Sequence, residues 1–333
     1  MKTLKFWFLL IAAWLPASAQ LLVNGAGATF PYPIYAKWFD EFHKINSKAQ
    51  INYQSIGSGG GIRQLQAGTV DFGASDSPMT DEQLSQSPGG VLHFPTVLGA
   101  VVATYNVAGV NQELNFTPDA LAGIFLGTIT RWNDPELVRA NAGVSLPAAS
   151  IVVVHRSDGS GTTFVWTDYL SKANANWKSK VGAGTAVNWP AGLGAKGNEG
   201  VAGLVKQTPS SIGYVELVYA IQNKMPYGKV RNAAGAFAKA ELASVTAAAA
   251  STAMPDDFRV SITNAPGKQV YPISSFTWLL VPVRIQDPQK RQIITSFLGW
   301  MLADGQKMAE PLGYAPLPKA VVERERKAIA KVQ

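Results

Sequence analysis

The chain has 333 residues, 47% of them hydrophobic and only 15% charged, with 29 Lys and Arg against 22 Asp and Glu. That length and apolar content suit two domains with proper cores and exclude a disordered or polyelectrolyte chain. There is no cysteine, which excludes disulfides, thiolate metal sites and a cysteine-linked lipid anchor. The basic residues are scattered, with no run of four, so small anions are the expected partners and nucleic acid is not.

Lys2 and Lys5 precede an apolar stretch at 6–15, and Ala17-Ser18-Ala19 has the small-x-small pattern of a cleavage site. Residues 1–19 therefore read as a signal peptide removed after Ala19, since the apolar stretch is about half the length of a bilayer span. The expected product is a free protein outside the cytoplasm. Downstream, apolar residues at 34, 35, 38, 39 and 42 predict a helix with one buried stripe. Residues 50–56 alternate like a strand, 62–67 resume a helix, and 70–74 form another short strand. Thr80 with Gln83 has the spacing of a capping box. Buried strands are predicted over 97–105, 151–154 and 275–281, a helix from 164 onward, and a surface helix over the Ala-rich stretch 233–253. Strands alternating with helices argue for an α/β architecture.

Three turns share one chemistry. "GAGATFPYP" places Thr29 as a cap before a proline-containing first turn. "IGSGGGIRQL" places Ser58 and three glycines at a helix start, and "HRSDGSGTTF" places Ser160, Gly161, Thr162 and Thr163 between a strand and a helix, with Ser157 or Asp158 as the ordinary N-cap candidates. A helix start exposes unpaired N–H groups and partial positive charge, which acidic side chains usually neutralise. None of these three starts carries an acid in its first turn, so a bound anion is the expected source of negative charge. Arg156 adds a charged contact, and Asp158, two residues on, is placed to orient its guanidinium.

Asp76, in "VDFGASDSPMT", is the odd member. Beside an anion a carboxylate repels unless the anion has a proton to donate. Phosphate near neutral pH has one and sulfate has none, so an aspartate facing the ligand would select between them.

Other chemistries find little support. His43, His93 and His155 are far apart and lack metal-site spacing, and neither Ser58 nor Ser160 lies in GxSxG. "GLGAKG", 192–197, satisfies GxGxxG formally but does not follow a hydrophobic strand, so no dinucleotide or other cofactor is expected. Trp38, Trp166 and Trp278 lie on apolar stripes and read as core. A secreted adhesin or scaffold that keeps a binding fold is the remaining alternative.

Eight blocks, in order, make the chain resemble the periplasmic phosphate-binding proteins of ATP-binding-cassette phosphate importers: "GAGATFPYPIYAKW", "NYQSIGSGGGIRQL", "GTVDFGASDSPM", "FPTVLGAVVATYN", "FLGTITRWNDP", "HRSDGSGTTFVWTDYL", "NWPAGLGAKGNEGVAGLV" and "IGYVELVYA". The resemblance implies a two-lobed periplasmic binding protein fold of type II, with the lobes joined by crossing strands and the ligand between them. It implies phosphate contacts from Thr29, Phe30 through its backbone N–H, Ser58, Asp76, Arg156, Ser160, Gly161 and Thr162, with Asp158 supporting Arg156. It also implies delivery to a membrane permease driven by an ATPase, and no enzymatic activity. Gly59 and His155 depart from residues common at those positions in the family. Residues 20–98 with 275–333 are expected to form one lobe and 99–274 the other, in a monomeric protein.

Overall fold

The computed structural model describes residues 20–110 and 112–333. The expected signal peptide lies outside the described residues. In chain order the elements are β1 (Leu21–Gly27), α1 (Tyr32–Ile45), β2 (Ala49–Ser55), α2 (Ser58–Gln66), β3 (Phe72–Ser75), α3 (Asp81–Ser85), β4 (Val91–Asn106), β5 (Asn115–Phe116), α4 (Pro118–Phe125), α5 (Pro135–Ala140), β6 (Val152–Arg156), α6 (Gly161–Ala173), α7 (Ala175–Lys180), β7 (Leu193–Ala195), α8 (Gly197–Gln207), β8 (Ser211–Glu216), α9 (Leu217–Gln222), β9 (Lys229–Arg231), β10 (Phe237–Ala238), α10 (Leu242–Ala250), β11 (Ser274–Pro282), α11 (Pro288–Met301) and α12 (Lys319–Ala328).

Eight strands form one sheet in the order β2-β1-β3-β11-β4-β8-β6-β7, and β10-β9-β5 form a small second sheet. β4 explains the shape. Its residues 91–100 pair antiparallel with β11, while Val101–Asn106 pair antiparallel with β8. The chain thus leaves one lobe along a single 16-residue strand and enters the other without a break. Return is at the start of β11, where the Val101 N–H donates to the Ile273 carbonyl at 2.8 Å. On either side of this junction the strands are parallel: β2, β1 and β3 in the first lobe, β8, β6 and β7 in the second. Every residue of β8 is buried, and β11 is buried up to its last residue, as strands covered on both faces must be.

Local sequence accounts for much of this. The buried residues of α1 are Ile34, Tyr35, Trp38, Phe39 and Phe42, the stripe read from the sequence. The Thr80 and Gln83 box closes in both directions at the start of α3. β4 begins six residues before the predicted strand, at Val91, and includes His93, which is buried and accepts from the Met79 N–H at 3.1 Å. Gly27 closes β1 at φ +147°, where a Cβ would run into the Ala74 backbone. The close approach of β1 to β3 therefore requires glycine there.

The Ala-rich stretch corrects the sequence reading. Only 242–250 is helical, because the Asn232 carboxamide accepts from the Ala234 and Ala236 N–H groups, both at 3.1 Å, and folds 232–236 into a turn between β9 and β10. What remains, α10, is a surface helix with one buried face: Val245, Ala248 and Ala249 pack toward β4 and β11, where small side chains permit close approach, while Ala243, Thr246 and Ala250 are exposed.

Trp38 anchors the C-terminal segment to α1. It is fully buried, lies 5.9 Å from the Tyr35 ring, and its Nε1–H donates to the Gly305 carbonyl at 2.9 Å. Trp38→Ala should lower stability by about 3–5 kcal/mol. Trp38→Phe, which keeps most of the packing but leaves the buried carbonyl without a donor, should lose about 1–3 kcal/mol. Urea unfolding of the two variants checks the order, and equal losses would remove the hydrogen bond from the explanation.

Candidate anion-binding site

Four loops that follow parallel strands converge where the lobes meet. In the first lobe, the loop after β1 carries Thr29 and Phe30, the turn after β2 carries Ser58, and the turn after β3 carries Asp76. In the second, Arg156 ends β6, and Ser160, Gly161 and Thr162 open α6. Thr29, Phe30, Ser58, Asp76, Arg156, Ser160 and Thr162 are all at most 3% exposed. Helices α1, α2 and α6 have no acidic residue in their first turns, as expected.

The contacts run across the lobes. Gly161 N–H donates to Ser58 Oγ at 3.0 Å, and Gly59 N–H donates to the Gly159 carbonyl at 2.8 Å. A Cβ on Gly161 would collide with Ser58 Oγ and Asp76 Oδ2, so glycine is what lets α6 approach the carboxylate. Ser58 Oγ also accepts from the Asp76 N–H at 3.2 Å. With both lone pairs engaged by N–H groups, its hydroxyl is left to act as a donor, and its proton faces Asp76 Oδ2 at the long distance of 3.5 Å. Ser160 caps α6 by accepting from the Thr163 N–H at 3.0 Å, and it too keeps its proton.

Arg156 is held by Asp158 in a two-pronged pair, Nε to Oδ1 at 2.7 Å and Nη2 to Oδ2 at 2.6 Å. Its third nitrogen, Nη1, is buried and has no hydrogen-bond partner. A guanidinium N–H so placed is costly unless something accepts from it. Burial works to raise the Asp158 pKa, but the Arg156 hydrogen bond and charge, with the Gly197 N–H at 3.1 Å, outweigh it and hold the carboxyl below its usual range.

Asp76 sits in the same enclosure, 1% exposed. Burial pushes its pKa up to about 7, against the Thr277 hydroxyl that donates to Oδ1 at 2.7 Å, the Arg156 charge and Ser58. Its other oxygen, Oδ2, has only Ser58 Oγ, at 3.5 Å. Oδ2 is therefore an acceptor short of a donor.

Three expectations about this cluster need correction. Thr29 does not cap α1. Phe30 precedes Pro31, which disfavours helical backbone at 30, so the helix starts at Tyr32 behind Pro31. The Thr29 hydroxyl instead accepts from Asn198 Nδ2 at 2.8 Å. Thr163 points away from the cluster, its Oγ1 2.6 Å from the Tyr214 hydroxyl. Ser160, not Ser157 or Asp158, is the N-cap of α6.

Four neighbours escaped the sequence reading. Asn198 bridges Thr29 and Thr162, Thr277 supports Asp76, Tyr219 Oη donates to the Thr29 carbonyl at 2.6 Å, and Glu216 is fully buried beside them. Burial holds Glu216 well above the carboxylate range, assisted by the charge of Asp76, and its Oε2 accepts from the Val218 N–H at the start of α9. Asn198 and Glu216 lie inside two of the quoted blocks, but a single Asn or Glu in a glycine-rich loop or at a strand end has too many ordinary uses to be singled out.

The histidines occupy separate places. His43 Nδ1 lies 2.7 Å from the Ala49 carbonyl, His93 is in β4, and His155 stacks on Trp189 with ring centroids 4.8 Å apart. Among the described residues no three His, Asp or Glu side chains form a metal-holding group. Residues 192–197 form the short edge strand β7 and the start of α8.

Residues 13–305 match the model of the PBP superfamily domain. The chain is 46% identical to the phosphate-binding protein PstS of Xylella fastidiosa over 93% of its length and 86% of the relative's, and 43% identical to the phosphate-binding protein PstS of Haemophilus influenzae over 96% and 95%. Among solved structures, a high-affinity periplasmic phosphate-binding protein bound with phosphate superposes with a TM-score of 0.76 at 21% identity, covering 92% of this chain and 93% of the other. A phosphate-binding protein from Stenotrophomonas maltophilia gives 0.72 at 19% identity over 92% and 93%. These likenesses establish the fold, two α/β lobes joined by crossing strands as in type II periplasmic binding proteins. The chain belongs to the PBP superfamily and, within it, to the family of the phosphate-binding protein PstS.

Proposed function

We propose that this protein binds inorganic phosphate with high affinity in the periplasm and delivers it to the permease and ATPase subunits of an ATP-binding-cassette importer. The observation that carries the reading is the pairing, in one buried enclosure, of an unpartnered guanidinium nitrogen, Arg156 Nη1, with an under-supplied carboxylate oxygen, Asp76 Oδ2. An anion that both accepts and donates satisfies both, and phosphate is such an anion near neutral pH. Thr29, Ser58, Ser160 and Thr162 would supply hydroxyl protons, and Phe30 and Gly161 backbone N–H groups, to its remaining oxygens. Asp158 holds Arg156 in place. In this reading the lobes, 20–98 with 275–333 and 99–274, close on the ligand, and the mature protein begins after Ala19 and acts as a monomer.

Binding, not turnover, is what the residues favour. Ser58 is bonded to Asp76 and Gly161, and Ser160 to Thr163, so neither serine has a histidine base among its partners. The named relatives are binding proteins.

Calorimetric titration of ligand-stripped protein at about pH 8, where Asp76 is charged, should give tight one-to-one phosphate binding and no response to sulfate; binding of neither would end this reading. Asp76→Asn should lose discrimination and admit sulfate, while unchanged selectivity would take Asp76 out of the site. For Arg156→Ala the loss of phosphate affinity should be about 2–5 kcal/mol, since the arginine is buried against the anion. A loss below about 0.5 kcal/mol, no more than an exposed ion pair contributes, would mean that the arginine does not contact the anion. The raised pKa of Asp76 adds a pH dependence with a definite sign. Above about 7 the carboxylate is charged and repels an unprotonated anion, whereas below about 7 it carries a proton it can donate. Sulfate binding should therefore strengthen as pH falls from about 8 to about 6, and in Asp76→Asn that dependence should vanish. Sulfate titrations across this range decide the point, and a flat profile in the unsubstituted protein would refute it.

A further inference from the structure

Asn198 occupies the first turn of α8, fully buried, and makes contacts to both lobes. Its Nδ2 donates to Thr29 Oγ1 at 2.8 Å and to Thr162 Oγ1 at 3.1 Å, using both amide hydrogens. Its backbone N–H faces Thr29 Oγ1 as well, at 3.4 Å. Its Oδ1 accepts from the Glu216 N–H at 2.9 Å. That last bond fixes which end of the amide is which: the oxygen must face Glu216, so the nitrogen must face the two threonines.

A hydroxyl has one proton and two lone pairs. At Thr29 both lone pairs face N–H groups of Asn198, and at Thr162 one does. Neither hydroxyl donates to any protein acceptor, and both protons are turned away from the amide. Ser58 has its lone pairs engaged in the same way by backbone donors, the N–H groups of Asp76 and Gly161, although its own hydroxyl makes a long 3.5 Å contact to Asp76 Oδ2. Thr29 lies in the lobe of β1, whereas Thr162 and Asn198 lie in the lobe of β6, so the bridge exists only where the two lobes meet. Tyr219, from the same lobe as Asn198, secures the other side of Thr29 through its carbonyl.

We infer that Asn198 is a positioning residue for the oxyanion: by occupying both lone pairs of Thr29 and one of Thr162 it turns the Thr29 hydroxyl into a donor and biases the Thr162 hydroxyl the same way, and it does so on lobe closure. Without it a threonine hydroxyl can rotate and present a lone pair to the anion, which is repulsive. With it, closure delivers two oriented donors and a cross-lobe bridge together. This inference rests on the proposed phosphate function and adds a determinant of affinity that does not itself touch the ligand.

The test is phosphate titration of Asn198→Ala and Asn198→Asp alongside the unsubstituted protein. Asn198→Asp keeps the shape and the Glu216 contact but can only accept, so the hydroxyls turn toward it. It should weaken binding by more than about a hundredfold, and Asn198→Ala by about tenfold to a hundredfold. A merely structural role would lower the unfolding midpoint of the ligand-free protein and affect all backgrounds alike. The decisive measurement is therefore Asn198→Ala in a Thr29→Val background, where its effect should shrink at least severalfold because one hydroxyl it orients is gone. The same factor in both backgrounds, or single variants that bind like the unsubstituted protein, would overturn the inference while leaving phosphate binding intact. An unsubstituted protein that fails to bind phosphate would instead remove the functional reading, and this inference with it.

Discussion

Removing a small, highly charged oxyanion from water is the constraint on which the rest depends. Each of its lone pairs must be met inside the protein, and the charge must be balanced without leaving bare cations buried when the ligand is gone. This protein meets the second condition by pairing Arg156 with Asp158 through two nitrogens, while the third, Nη1, has no protein partner and is the one proposed to meet the ligand. The first falls to neutral groups, hydroxyls with their lone pairs already engaged and N–H groups at acid-free helix starts. Such donors cost less to keep buried than ammonium or guanidinium groups. Against this donor-rich background Asp76 is the acceptor that, in the proposed function, would make the site selective.

The fold is what brings these groups together. Parallel strands send their C-terminal ends toward the junction of the two halves of the sheet, where loops can carry chemistry on a rigid base. Thr29 follows β1, Ser58 follows β2, Asp76 follows β3, and Arg156 ends β6. β4 runs through both halves and gives the lobes a common frame, so groups more than a hundred residues apart in sequence, such as Ser58 and Gly161, meet at 3.0 Å. The small residues on both sides of the interface are equally necessary, because a side chain on Gly161 would displace Ser58 and Asp76.

Much of this was legible in the sequence where the cause is local. The apolar stripe of α1, the capping box at Thr80, the buried tryptophans and the acid-free helix starts each depend on residues a few positions apart, and each is found in place. What could not be read depends on distant partners. Alanine content predicted a long helix over 233–253, but Asn232 bends the chain first, and only 242–250 is helical, with one face buried against β4 and β11. Thr29 and Thr163 are both threonines near helix starts, yet one turns to Asn198 and the other to Tyr214, and nothing near either in sequence distinguishes them. Asn198 itself lies 169 positions from Thr29, so only the assembled fold reveals the bridge.

The central claim is that Asp76 and Arg156 hold the same anion, one accepting its proton and the other donating to its oxygens. A crystal structure of the phosphate complex at neutral pH tests it most directly. The account predicts one phosphate oxygen at about 2.5–2.7 Å from an Asp76 carboxylate oxygen, the short range of a proton shared with a charged acceptor, and another within hydrogen-bond reach of Arg156 Nη1. Phosphate bound elsewhere, or an Asp76 carboxylate turned away from it with Thr277 alone as partner, would contradict the account.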